Sequence, residues 1–242
     1  ISGFKAGKDA DASAFAVKKS ADLTFNSCYI YFNHSQTGAF LSISEKGNKS
    51  RITMNGCNAS SNKSMKYGGS VIYSSAEPTI NISNCSFYNN ECAVNELAAA
   101  TTFRISGGKA NVNISHSTLC GAYYFESGNV KINNSLVEAV GNASVDQSFV
   151  MSPNNLPGIS AEVPKAVHEE FKTYFETEKL GKSNTPYLPL VKPIDKVPAM
   201  KDKNLEKDQT GVSRGEGMVT PGAIETQPAP EAAAPGEDTI IP

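Results

Sequence analysis

Five cysteines are the residues best equipped for chemistry: Cys28, Cys57, Cys85, Cys92 and Cys120. Thiols can ligate metals, attack electrophiles or pair oxidatively. No Cys-x-x-Cys and no Cys/His cluster has zinc spacing, so no metal site is expected. Cys28, Cys57 and Cys85 instead share one position in three similar stretches: Leu23-Thr24-Phe25-Asn26-Ser27-Cys28, Ile52-Thr53-Met54-Asn55-Gly56-Cys57 and Ile80-Asn81-Ile82-Ser83-Asn84-Cys85. If these stretches stack in register, the thiols form a buried ladder, continued by Ser117 and Ser135 in two later copies. The spacing of neighbouring strands falls within the Cα range of a disulfide, although three stacked thiols cannot all pair. Cys85 and Cys92 are near each other in sequence and are a second candidate pair, across a turn.

Other chemistry is sparsely provided. β-Structured hydrolases set two or three carboxylates on one face. Residues 23–145 contain no Asp, and Glu45, Glu77, Glu91, Glu96, Glu126 and Glu138 recur at no common position. Arg51 and Arg104 are the only arginines of this region, and His34, His116 and His168 show no partner pattern. No catalytic residue and no cofactor is expected. Nine Asn-x-Ser sequons begin at Asn33, Asn48, Asn58, Asn62, Asn81, Asn84, Asn113, Asn133 and Asn142. In a chain this rich in Asn and Ser they are expected to be accidents of composition, and Asn84 is expected to be poorly accessible.

The elements that would position these residues come from repetition. The motif Φ-x-Φ-(Asn/Ser)-x-(Cys/Ser), with Φ apolar, starts at Leu23, Ile52, Ile80, Val112 and Val130. A weaker apolar stretch precedes each copy, at residues 12–17, 38–43, 69–73, 102–105 and 123–125. Alternation over four to six residues is the strand signal. At least two short strands per repeat, with loops of variable size between them, predict a parallel β-solenoid of about five coils. Asn at the corners tolerates left-handed backbone, and stacked amides can bond up and down a column.

Composition divides the chain. Residues 1–150, the predicted solenoid, carry 12 Lys/Arg against 10 Asp/Glu, and residues 151–242 carry 10 against 14. Neither balance suits a nucleic-acid partner. Residues 151–182 are read as a capping segment, in which Val163, Val167, Phe171, Tyr174 and Phe175 lie on one face of a helix that would cover the open end of the solenoid. Residues 183–242, rich in Pro, Ala and Glu, are read as a flexible, disordered linker or tail. The start, Ile1-Ser2-Gly3-Phe4-Lys5, is read as neither a signal peptide nor a natural beginning. A fragment is expected, with any export signal or membrane anchor outside it.

Gly68-Gly69-Ser70-Val71 followed by Phe87-Tyr88-Asn89-Asn90 resembles the repeats of pectin-lyase-like right-handed parallel β-helices. More narrowly, it resembles the paired Gly-Gly-Ala-Ile and Phe-x-x-Asn motifs of the chlamydial polymorphic membrane protein autotransporters. The resemblance covers roughly residues 12–140, with Gly68, Gly69, Phe87, Asn89 and Asn90 as its motif residues. It implies an all-β right-handed β-helix displayed at the cell surface or outer membrane. It also implies an adhesin or host-interaction role, with a host-surface protein or glycan as partner. Specificity is expected in the segments Gly56–Lys66 and Glu91–Ala100, read as variable loops. The alternatives are a carbohydrate-active β-helix enzyme and a purely structural stalk.

Overall fold

The computed structural model describes residues 1–6, 13–65, 69–92, 102–126, 128–153, 165–175, 190–192, 194–200 and 205–224. The first coil comprises β1 (Phe15–Val17), β2 (Asp22–Asn26), β3 (Tyr29–Tyr31) and β4 (His34–Ser35). The second repeats it as β5 (Leu41–Ile43), β6 (Arg51–Asn55), β7 (Asn58–Ser60) and β8 (Lys63–Ser64). The third follows as β9 (Ile72–Ser74), β10 (Thr79–Ser83), β11 (Ser86–Tyr88) and β12 (Glu91–Cys92). Then come β13 (Phe103–Ile105), β14 (Asn111–Ser115), β15 (Thr118–Phe125), β16 (Asn129–Asn133), β17 (Leu136–Gly141), β18 (Ser144–Asp146) and β19 (Phe149–Pro153). Helix α1 (Lys165–Lys172) and a short pair, β20 (Val197–Pro198) and β21 (Met218–Val219), complete the described elements.

Every pairing among β1–β19 is parallel and joins equivalent strands of successive coils. One wall runs β2-β6-β10-β14-β16-β18. Its register sets Leu23, Ile52, Ile80, Val112 and Val130 in one inward column. Phe25, Met54, Ile82, Ile114, Ile132 and Val145 form the next. The expected all-β, solenoid-like stack is therefore present, and it has one more rung than the five motif copies. Ile30, Ala59, Phe87, Leu119 and Val137 face these columns from the opposite wall. Phe87, Phe103 and Tyr123 pack edge to face, with centroids 5.0 and 5.1 Å apart along the series. Each such fully buried side chain contributes about 1.5–3 kcal/mol of apolar transfer free energy.

Two corners turn the chain with left-handed residues. Ser27, Gly56, Asn84, His116, Asn134 and Gln147 have φ between 45 and 64° at the first corner. Phe32, Ser61 and Asn89 have φ of 51–54° at the second. The motif glycine has a similar cause. Gly69 lies at φ +65°, where a Cβ would meet the Ile72 carbonyl oxygen at 2.4 Å, and Gly38 is the same position one coil earlier. Gly68 lies outside the described residues.

Three expectations need correction. The segment Gly56–Lys66 is not a loop, because it contains β7 and β8. Asn58-Ala59-Ser60 shows no apolar alternation, since its polar side chains are buried by neighbouring layers. Of the other expected loop, Glu91 and Cys92 form β12 and residues 93–100 lie outside the description. Helix α1 does not close the end of the stack. It lies on the flank, where Phe171 and Phe175 join Tyr88, Cys120 and Leu136, outward neighbours of the inward Phe87, Leu119 and Val137. Finally, residues 205–224 are no free tail but a strap held on the first corner. Arg214 is 6% exposed and donates to Asn84 Oδ1 (3.2 Å), Thr220 O and Gly222 O. Asn134 Nδ2 donates to Pro198 O, and the Asn134 backbone carbonyl accepts from Gly222 N. Polar and backbone bonds, rather than an apolar stripe, seat this segment. The Pro/Ala-rich stretch after residue 224 lies outside the described residues.

Candidate functional site

The cysteine position opens the inner side of the first corner. From Cys57 onward each backbone N–H donates to the sulfur or hydroxyl below it. The bonds are Cys57 to Cys85 Sγ (3.3 Å), Cys85 to Ser117 Oγ (3.2 Å), Ser117 to Ser135 Oγ (3.2 Å) and Ser135 to Ser148 Oγ (3.0 Å). The side chains in turn donate to the carbonyl two residues back, as Cys85 Sγ does to Ser83 O and Ser117 Oγ to Ser115 O. The predicted ladder is thus a hydrogen-bonded column that also includes Ser148. Hydrogen bonding from the Cys85 thiol pulls Cys57 down to about 7. Burial, with the adjacent Cys57, pushes Cys28 up. Cys85 is pushed well up by its complete burial. The candidate pair Cys85–Cys92 is not formed: both thiols are free, with Cys85 in the column and Cys92 on β12 beyond the second corner.

The second corner carries Asn33, Asn62 and Asn90, all buried. Asn33 Nδ2 donates to Asn62 Oδ1 and Asn62 Nδ2 to Asn90 Oδ1, each at 2.9 Å. Phe4 N donates to Asn33 Oδ1, so residues 1–6 lie on the same ladder. Of the motif residues, Phe87 is core, Asn89 makes the left-handed turn and Asn90 is a rung of the amide ladder. They build the scaffold, and Asn89 also lines a recess of about 420 Å3 with Phe32, His34, Lys63 and Glu91.

A continuous outward polar surface lies on the outer side of the β2-β6-β10-β14-β16-β18 wall. Alternation points Thr24, Thr53, Asn81 and Asn113 outward in one row, and Asn26, Asn55, Ser83 and Ser115 in the next. These eight side chains are uncharged, and each hydroxyl or amide both donates and accepts. Charges stand at the margins, with Asp22 and Arg51 in a third row and Lys131 and Asp146 on the last rungs. Neighbouring rungs are linked by Asn113 Nδ2 to Asn81 Oδ1 (3.0 Å) and Ser83 Oγ to Asn55 Oδ1 (3.1 Å). Met200 and Leu205 of the C-terminal segment form one bank, giving a groove of about 580 Å3. The outward x positions of the motif are legible as polar in sequence, but alternation alone does not single out this face among those of the stack. The bank came from the segment read as a tail.

Other recesses carry less. A cavity of about 900 Å3 lies under the strap beside His116, Glu206, Arg214 and Glu216, but its buried guanidinium is committed to the strap itself. Beside α1 the carboxylate of Glu138 is wholly buried and accepts from Gly121 N and meets His168 Nδ1. Cys120 lies nearby, its thiol pushed well up by burial and by Glu138, which leaves it a poor nucleophile. Among the described residues, no group of three or more His, Cys, Asp or Glu could hold a metal ion, and no helix is long and apolar enough to cross a membrane. No protein-family model, curated protein or solved structure matches the chain.

Proposed function

We propose that the chain is a right-handed parallel β-helix of a surface-displayed passenger, and that it works as an adhesin-type module binding a neutral glycan of a host surface. The observation that carries this reading is the uncharged double row of Thr24, Thr53, Asn81 and Asn113 beside Asn26, Asn55, Ser83 and Ser115. Side chains that both donate and accept match the vicinal hydroxyls of a sugar, whereas a phosphate or sulfate ligand calls for clustered Lys and Arg, and on this face Arg51 and Lys131 stand apart at the margins. Met200 and Leu205 offer apolar flanks to the C–H faces of a ring. A rung spacing of about 4.8 Å repeats the same contacts along an extended polymer.

The test is a screen of neutral and acidic glycans against the full chain, with affinities from calorimetry. Binding to neutral members is expected. The double variant Asn81→Ala/Asn113→Ala is expected to weaken it about 10- to 100-fold, or about 1.4–2.8 kcal/mol. Attachment to host cells that survives enzymatic removal of glycans would place the partner among surface proteins. Polysaccharide turnover would favour an enzyme, and no binding at all would leave a stalk.

A further inference from the structure

The sulfur column takes no part in the outer polar face, yet it juxtaposes three thiols. We propose that Cys28 and Cys57 are a reversible modification site: a low-molecular-weight disulfide such as oxidised glutathione enters at Cys28, and Cys57 resolves the adduct into a disulfide between the first two coils.

Register makes the two residues direct neighbours. Asn26 pairs with Asn55 before them and Tyr29 with Asn58 after them, and Asn58 N donates to Cys28 O at 2.8 Å. The parallel-strand spacing lies within the Cα range of a disulfide. The side chains point the same way. Cys28 Sγ donates to Asn26 O (3.4 Å), and Cys57 Sγ lies 3.6 Å from Asn55 O, the same position one coil on. Cys57 Sγ also reaches Phe25 O at 3.2 Å, so it leans toward the coil that holds Cys28. Access separates their roles. Cys28 is half-buried, while Cys57 and Cys85 are wholly enclosed. Of the three thiols in the column, only Cys28 is open to a reagent in solution, and Cys57 is its neighbour one coil on. The lowered Cys57 supplies a thiolate near neutral pH for the second step.

In the first step the Cys28 thiolate, a minor species at neutral pH because burial and the adjacent Cys57 push that thiol up, attacks one sulfur of oxidised glutathione, so this slow entry step quickens as pH rises. The glutathione S–S bond breaks, the Cys28–glutathione bond forms and one glutathione thiolate leaves. In the second step the Cys57 thiolate attacks Cys28 Sγ and expels the other glutathione thiolate. The two cysteines lose two electrons and two protons, and one oxidised glutathione becomes two reduced molecules. In-register coils hold the two Cβ atoms near the strand spacing, a little beyond the usual Cβ separation of a disulfide. The bridge is therefore readily reduced.

The experiment incubates the full chain with oxidised glutathione, alkylates the remaining thiols and maps the peptides by mass spectrometry. The expected product has lost two of five thiols, carries a Cys28–Cys57 cross-link and returns to five thiols with dithiothreitol. Cys57→Ser is expected to stop at a stable glutathione adduct on Cys28. Cys28→Ser is expected to leave Cys57 unmodified. Serine already fills this position at Ser117, Ser135 and Ser148, so both variants should fold, as circular dichroism will report. A persistent adduct on Cys28 in the unsubstituted chain, a bridge through Cys92 or Cys120, or an unreactive Cys28 would each overturn the proposal, and the unsubstituted chain alone can show any of them.

Discussion

Asn62 makes its amide serve three coils at once. Its Nδ2 donates to Ile30 O (2.9 Å), Ser60 O (3.1 Å) and Asn90 Oδ1 (2.9 Å). Its Oδ1 accepts from Asn33 Nδ2 (2.9 Å) and Asn33 N (3.2 Å). Removing that side chain strands buried donors and acceptors on both neighbours, whose desolvation is then uncompensated. Asn62→Ala is expected to destabilise the chain by about 2–4 kcal/mol in urea titration, while exposed Asn113→Ala should stay within about 0.5 kcal/mol. Equal effects would show that the ladder adds nothing beyond ordinary polar contact. The same burial bears on the sequons. The amides of Asn33, Asn62 and Asn84 are committed inside the fold or to the strap, so none is open to a glycan in the folded chain. Amide stacking was legible in the Asn-rich corners. Which Asn stack was not, because only Asn90 stands in a complete Phe-x-x-Asn motif: Ile30 and Ala59 take the place of Phe87 three residues before Asn33 and Asn62.

At the scale of elements, alternation revealed the strands with one apolar face and concealed those without. The wall from β2 to β16 was readable residue by residue. β7 was not, because Asn58 and Ser60 are polar and yet buried. The strap was concealed for a related reason: Lys207 O accepts from Asn84 Nδ2 and Gly222 N donates to the Asn134 backbone carbonyl, both at left-handed residues, and hydrophobic periodicity is blind to such bonds. Arg214 is its anchor, since one guanidinium holds Asn84 together with two strap carbonyls. Arg214→Met keeps the bulk and removes these bonds. It is expected to raise amide exchange of residues 205–224 by about 10- to 100-fold, consistent with loss of about 1.5–3 kcal/mol of charged hydrogen bonding. Exchange within β6, β10 and β14 should hardly change. An unaltered strap would mean that Val219 and Ala223, both buried, hold it instead. Because Leu205 belongs to the same segment, loosening it should also weaken the groove.

For the whole molecule, the stack narrows along its length. Successive ladder positions are separated by 28, 32, 18 and 13 residues from Cys57 to Ser148. The short steps follow from β15, which pairs with β11 through its first half and with β13 through its second, so the third side carried by β4, β8 and β12 is bypassed. The interval of 18 residues was visible in sequence, but its cause was not, because nothing local marks a strand that joins two walls. A stack of this kind buries ionisable groups both in its interior, at Cys85 and Tyr123, and on its flank under α1, at Cys120. Cys85 and Cys120, both buried, are pushed well above the ordinary thiol value of 9.0, and Tyr123 well above 10.0, in each case chiefly by burial. For an acid raised on folding, the native state holds a proton that the unfolded chain releases. Stability is then constant below the unfolded value and falls as pH climbs above it. Each group should cost about 1.4 kcal/mol per pH unit once that value is passed. Cys57 runs the other way: lowered to about 7, it adds stability between pH 7 and 9 and nothing further above. Urea midpoints should therefore hold or rise to about pH 9, then fall, with a steeper loss above pH 10 where Tyr123 joins. Cys120→Ala should make the decline between pH 9 and 10 shallower than in the unsubstituted chain, whatever its effect at neutral pH. A midpoint that stays flat to pH 11 would show that these side chains are reached by water in the native state.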